Sequence, residues 1–124
     1  MKPEPLLSCR GLEAGYEASQ VLFGVDLEIA AGEVVTLLGR NGMGKSTTIK
    51  ALTGGLRARC GEIRFSGQVI HHARADAIAR LGLALVPEGR QCFPNLTVHE
   101  HLIAFAANRS GRGEPWTPER LYAL

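Results

Sequence analysis

No apolar run in this chain approaches the roughly 18 residues that a membrane-spanning helix needs, so work at a membrane would require a span from another protein. The start, Met1-Lys2-Pro3-Glu4-Pro5, is polar and proline-broken and has no apolar segment of the secretory type. Cysteine is scarce: Cys9, Cys60 and Cys92 are odd in number, widely separated and form no C-x-x-C pair. That spacing argues against a disulfide framework or a cysteine metal site, and for reduced, partly buried thiols in a cytosolic protein. His99 and His101 stand two apart on an expected helix and so face different ways, while His71-His72 falls in an expected turn; neither pair has zinc-site spacing. A charge excess is missing too. Fourteen basic against twelve acidic residues leave +2, too even and too scattered for a nucleic-acid surface. With 45% hydrophobic and 21% charged residues, the 124-residue chain has the material for the core of one small domain and no signature of disorder. Internal repeats are absent.

Against these absences stands one complete motif. Gly39-Arg40-Asn41-Gly42-Met43-Gly44-Lys45-Ser46 has the form G-x-x-x-x-G-K-[ST]. Before it, Glu33-Val34-Val35-Thr36-Leu37-Leu38 reads as a short buried strand. After it, residues 46–52 read as the opening turns of a helix. Strand, glycine loop and helix together are the context this motif requires. Gly39, Gly42 and Gly44 allow backbone dihedrals closed to other residues, so that successive N–H groups turn toward a polyphosphate. The helix start adds unpaired N–H groups and the positive end of its dipole. Lys45 supplies a mobile cation for β- and γ-phosphates, the Ser46 hydroxyl is placed to ligate Mg²⁺, and Thr47 offers a further hydroxyl and N–H. Arg40 and Asn41, like Met43, occupy variable loop positions and contribute mainly backbone.

The expected elements follow from periodicity and punctuation. Leu6 to Ala14 and Val21 to Ile29 read as strands, the second with Val21, Phe23, Val25, Leu27 and Ile29 apolar at period two. Ala31-Gly32-Glu33 reads as a turn. Thr53-Gly54-Gly55 ends the motif helix. A short strand is expected over residues 61–66, a helix from Ala73 to Leu81, and a second buried apolar strand at Leu83-Ala84-Leu85-Val86, halted by Pro87. Asn95 to Glu100 opens another helix, with Thr97 and Glu100 spaced as a capping box, and Leu102, Ile103, Phe105 and Ala106 extend its apolar face. Residues 108–118 are polar and rich in Gly and Pro, a linker, and a last helix begins at Pro118. The fold class is α/β.

In order and wording these features resemble the ATP-binding subunits of ABC transporters. The motifs carrying the likeness are L-L-G-R-N-G-M-G-K-S-T, the strand and turn G-E-I-R-F-S-G, and L-V-P-E-G-R-Q-C-F-P-N-L-T-V-H-E. The wording is most similar to the ATPases of branched-chain amino acid importers, the LivF type, and extends to Pro115-Trp116-Thr117-Pro118-Glu119-Arg120. The resemblance implies a P-loop NTPase fold of the ABC type: antiparallel N-terminal strands joined to a RecA-like strand–loop–helix core. It implies ATP and Mg²⁺ as ligands, with Gly39 to Thr47 on the phosphates and Tyr16 as the aromatic that stacks on adenine. Glu88 falls where most of the family has glutamine, near Mg²⁺ and the attacking water. A glutamate keeps the oxygen ligand and adds charge, and the wording V-P-E-G-R suits the branched-chain type. Lys45 and Glu88 are thus the expected catalytic residues, and Ser46 and Glu88 the expected metal ligands. Phe93, Pro94 and Leu96 resemble the surface that receives a helix of the membrane subunit.

The implied partners are transmembrane permease subunits, a second ATP-binding subunit as dimer partner and, indirectly, a periplasmic or extracellular substrate-binding protein. Nucleic acid is not among them. The implied location is cytoplasmic, peripheral on the inner face of the membrane. Residues 1–107 would be the N-terminal part of the ATP-binding domain, and 108–124 a linker and the start of a helical region. The family's L-S-G-G-Q signature, its Walker B Asp-Glu and its switch histidine have no counterpart here and are expected downstream of Leu124. The 124 residues alone are therefore expected to bind nucleotide weakly and not to hydrolyse it. Other readings stay open: a short non-hydrolysing nucleotide-binding or interaction module, or the ATPase of a related urea or amide importer. A small-molecule kinase is disfavoured by V-P-E-G-R-Q followed by F-P-N-L-T-V.

Overall fold

The computed structural model describes residues 4–40, 44–89, 91–107, 111 and 113–124. Two compact units partition the chain, Met1–Leu83 and Ala84–Leu124.

In the first unit, β1 (Leu7–Tyr16) and β2 (Ser19–Ile29) form a hairpin whose last pair is Tyr16 opposite Ser19. Glu17, at φ 50°, supplies the left-handed turn residue that a two-residue connection demands. On its other edge β1 pairs with β3 (Cys60–Phe65), and β3 pairs with β4 (Gln68–Val69). The sheet order is β2-β1-β3-β4, antiparallel throughout. β1 lies in the interior of the sheet, and its inward residues Leu7, Cys9, Leu12 and Ala14 are buried. Two helices complete this core. α1 (Lys45–Leu52) contributes Ala51 and Leu52, and α2 (Ala75–Leu81) contributes Ile78. Ile63, Phe65 and Ile70 close it from the β3 side.

The period-two expectation for β2 fails at Phe23. Val25, Leu27 and Ile29 pack against the core, but Phe23 is 75% exposed and Leu22 takes the inward place at 3%. The cause is a bulge. Leu12 pairs with Val25 and Glu13 with Phe23, which leaves Gly24 as the extra residue, and its φ of 98° suits glycine. That inserted residue reverses the face at Phe23 and Leu22, and a second shift, between the Ala14–Leu22 and Gly15–Gln20 pairs, leaves Val21 packed against the core again.

Two segments expected as buried strands form no strand, and most of their residues are exposed, although Leu37 and Leu83 are partly buried. Residues 33–38 carry no ladder, and Val34 and Leu38 are 92% and 87% exposed. Residues 83–86 carry none either, with Val86 at 93%. An apolar strand of the parallel type is buried only when strands flank it and helices cover both faces. Among the described residues no strand lies beside either segment. β4 was not expected from the sequence; the other elements of the first unit fall within two or three residues of expectation.

The second unit holds α3 (Val98–Ala104) and α4 (Pro118–Tyr122). The capping box forms as its spacing implies. Thr97 Oγ1 accepts from the Glu100 N–H at 3.1 Å, and Glu100 Oε1 accepts from the Thr97 N–H at 3.0 Å. Pro118 stands in the first turn of α4 behind Thr97's counterpart, Thr117, whose hydroxyl accepts from the Arg120 N–H. No helix among the described residues is long and apolar enough to cross a membrane.

Candidate functional site: a phosphate loop with an aromatic platform

The site is built around the start of α1. Gly44 caps the helix with φ 87° and ψ 8°, and its carbonyl accepts from both the N–H and the hydroxyl of Thr48, each at 2.8 Å. A Cβ at this position would lie 2.8 Å from Leu22 Cδ2. Glycine is thus required twice, for the left-handed turn and for the approach of β2 to the helix start. N–H groups in the first turn of a helix have no intrahelical acceptor. α1 has no acidic residue in that turn to occupy its positive end.

Lys45 turns back along the loop and donates from Nζ to the Gly39 carbonyl at 2.5 Å, so the ammonium bridges the two ends of the motif. The Ser46 side chain is exposed, whereas Thr47 and Thr48 are buried. Gly39 and Arg40 are exposed and outside regular structure. The expectations for Asn41, Gly42 and Met43 lie outside the described residues.

Tyr16 leaves the end of β1 and meets the same helix. Its hydroxyl lies 3.4 Å from Thr47 Oγ1, and Lys50 Nζ sits over its ring, 5.6 Å from the centroid. Thr47 and Lys50 are i, i+3 neighbours and share one face of α1. The hydrogen bond from Thr47 holds the Tyr16 phenol below its usual range, with the Lys50 charge acting in the same direction. Tyr16 remains 41% exposed. An aromatic plate is therefore tied to the helix that follows the glycine loop.

Glu88 belongs to the second unit. Its side chain is exposed at a turn, and its carbonyl accepts from Gln91 Nε2 at 3.3 Å. Nearby, His101 uses both ring nitrogens: Nε2 accepts from the Phe93 N–H at 3.0 Å, and Nδ1 donates to the Thr97 carbonyl at 2.7 Å. That pairing requires the neutral Nδ1–H tautomer. His99 turns elsewhere, to the Tyr122 hydroxyl at 3.3 Å. Of the three thiols, Cys9 is buried and Cys60 and Cys92 are exposed; burial pushes the Cys9 thiol up. Among the described residues no three His, Cys, Asp or Glu side chains cluster as metal ligands. Lys50 was not singled out by sequence, although a cation three residues past Thr47, on the same helix face, was a readable signal.

Comparison with known proteins gives the family. The ABC transporter family profile matches residues 22–122. Over 97 residues the chain is 41% identical to the high-affinity branched-chain amino acid transport ATP-binding protein BraG of Pseudomonas aeruginosa, covering 78% of this chain and 42% of that protein. It is also 41% identical over 98 residues to the ribose import ATP-binding protein RbsA 1 of Rubrobacter xylanophilus, covering 79% of this chain and 20% of that one. A solved ATP-binding subunit of an ABC transporter superposes with a TM-score of 0.74 at 38% identity, over 88% of this chain and 44% of that chain. The chain thus belongs to the ABC transporter family, within its ATP-binding domain and its P-loop NTPase fold. It spans less than half the length of these relatives.

Proposed function

We propose that this chain supplies the nucleotide-binding part of an ABC importer ATPase. Gly39 to Thr47 hold the phosphates of ATP, and Tyr16 stacks on adenine. The donor set at the helix start fits a nucleotide with its Mg²⁺. It offers a lysine ammonium, an exposed serine hydroxyl and free helix N–H groups, with no carboxylate in the first turn. Ser46 would hold the metal, which would neutralise phosphate charge when bound. Lys45 and Glu88 are the residues assigned to the chemistry. The assembly would pair two ATP-binding subunits beneath permease subunits on the cytoplasmic membrane face, fed by a substrate-binding protein.

The transported substrate we assign is a branched-chain amino acid. The V-P-E-G-R and F-P-N-L-T-V wordings support this, as does the 41% identity to the Pseudomonas relative. The equal identity to a ribose-import relative favours a sugar as the second reading.

One observation carries the nucleotide assignment: Tyr16 bonded to Thr47, which places an aromatic surface beside the phosphate loop. Its test compares ATP with inorganic triphosphate by calorimetry. Tyr16→Ala should weaken ATP binding by about five- to a hundredfold, as loss of ~1–3 kcal/mol of base–aromatic stacking would, and leave triphosphate binding unchanged. Equal affinity for ATP in both proteins would overturn the role of Tyr16.

A further inference from the structure

Lys50 lies outside the phosphate motif and makes no ion pair among the described residues. Among the described residues its side chain meets the Tyr16 ring, with Nζ 5.6 Å from the centroid. That ring is otherwise fixed at two points: the backbone of Tyr16 pairs with Ser19 at the end of the hairpin, and its hydroxyl meets Thr47. These two contacts lie along the long axis of the plate and set its position, but neither is made to its face, so they do not themselves fix rotation about that axis. An ammonium over the ring opposes it, because the cation is attracted to the face of the π-system and is held on a helix that does not turn with the tyrosine.

We propose that Lys50 is a positioning residue for the nucleobase: it occupies one face of Tyr16 and leaves the other as the stacking surface. This rests on the nucleotide-site reading above. The cation does two things. It fixes the plane of the ring before the base arrives, which lowers the ordering cost of stacking. It also draws ring electron density toward itself, so the opposite face meets an electron-rich purine with less repulsion. Thr47 and Lys50, three residues apart on α1, thereby link the phosphate end of the site to the base end.

The test uses Lys50→Met and Lys50→Arg, both good helix formers at an exposed position. ATP and inorganic triphosphate are titrated into each protein. Lys50→Met should bind ATP about two- to fivefold more weakly, the range set by an exposed cation–π contact, and triphosphate unchanged; Lys50→Arg should restore ATP affinity. Independently of any ligand, the phenolate absorbance of Tyr16, assigned by difference from Tyr16→Phe, should titrate at higher pH in Lys50→Met than in the wild type. Equal weakening of ATP and triphosphate would overturn the proposal and make Lys50 a phosphate-attracting charge. Unchanged ATP affinity would overturn it as well. A wild-type chain that takes up neither probe would overturn the nucleotide-site reading, and this proposal with it.

Discussion

Replacing Gly44 by alanine adds one methyl group at the point where the phosphate loop becomes a helix. Two costs can be separated. The backbone at φ 87° is left-handed, which costs an L-residue with a side chain roughly 1–2 kcal/mol. The new Cβ would also stand 2.8 Å from Leu22 Cδ2. Leu22 is 3% exposed and fills the inward place created by the Gly24 bulge, so it has little room to withdraw. Overpacking of this kind costs about 1–3 kcal/mol. Together the substitution should remove about 2–5 kcal/mol, a large part of the ~5–15 kcal/mol that stabilises a typical domain. Gly32→Ala is the control. Its φ of 78° is similar, but a Cβ there meets nothing within 4 Å, so only the backbone cost applies. Urea unfolding followed by far-ultraviolet circular dichroism gives both values from one protocol. Gly44→Ala should unfold at clearly lower urea than Gly32→Ala. Coincident midpoints would refute the close approach of β2 to the helix start.

Two further outcomes are expected. Glu100 is held below its ordinary value of 4.5, first by the Thr97 N–H, so its ionised form supports the capping box. That support is complete above pH 4.5 and fades as pH falls through the depressed folded value, so α3 helicity should hold down to 4.5 and decline below it. Thr97→Ala should cost ~1 kcal/mol of helix stability, and Glu100→Gln, which removes the titrating carboxylate, should flatten this acid limb; an unchanged limb in Glu100→Gln would contradict the assignment. The purified 124-residue chain should show no Lys45-dependent phosphate release, because no Asp-Glu pair follows an apolar strand in it to hold Mg²⁺ and orient water. Release that vanishes in Lys45→Ala would overturn this.

Much of this fold was legible because local rules dominate where they were used. Alternation located the β1–β2 hairpin, Gly44 and Thr53 bounded α1, and the Thr97–Glu100 spacing announced the cap of α3. The failures share a physical origin in non-local partners. The run from Val34 to Leu38 carries every mark of a buried strand, yet burial depends on neighbouring strands that its own residues cannot specify. The inward place of Leu22 in β2 depends on a bulge, which Gly24 permits but does not announce. Within the candidate site, motif spacing singled out Gly39, Lys45, Ser46 and Thr47. The tie from Tyr16 to Thr47 and Lys50 needed the sheet to bring residue 16 beside α1. The double engagement of His101 likewise appears only once Phe93 folds back toward α3.

The central claim is that the loop ending at Gly44 and the helix it opens form an ATP site anchored by Lys45. Calorimetric titration of Mg²⁺–ATP into the wild-type chain and into Lys45→Ala tests it most directly. A lost hydrogen bond to a charged group is worth ~1.5–3 kcal/mol, so Lys45→Ala should bind at least about tenfold more weakly with its fold intact by circular dichroism. Equal ATP affinity in the two proteins would contradict the claim.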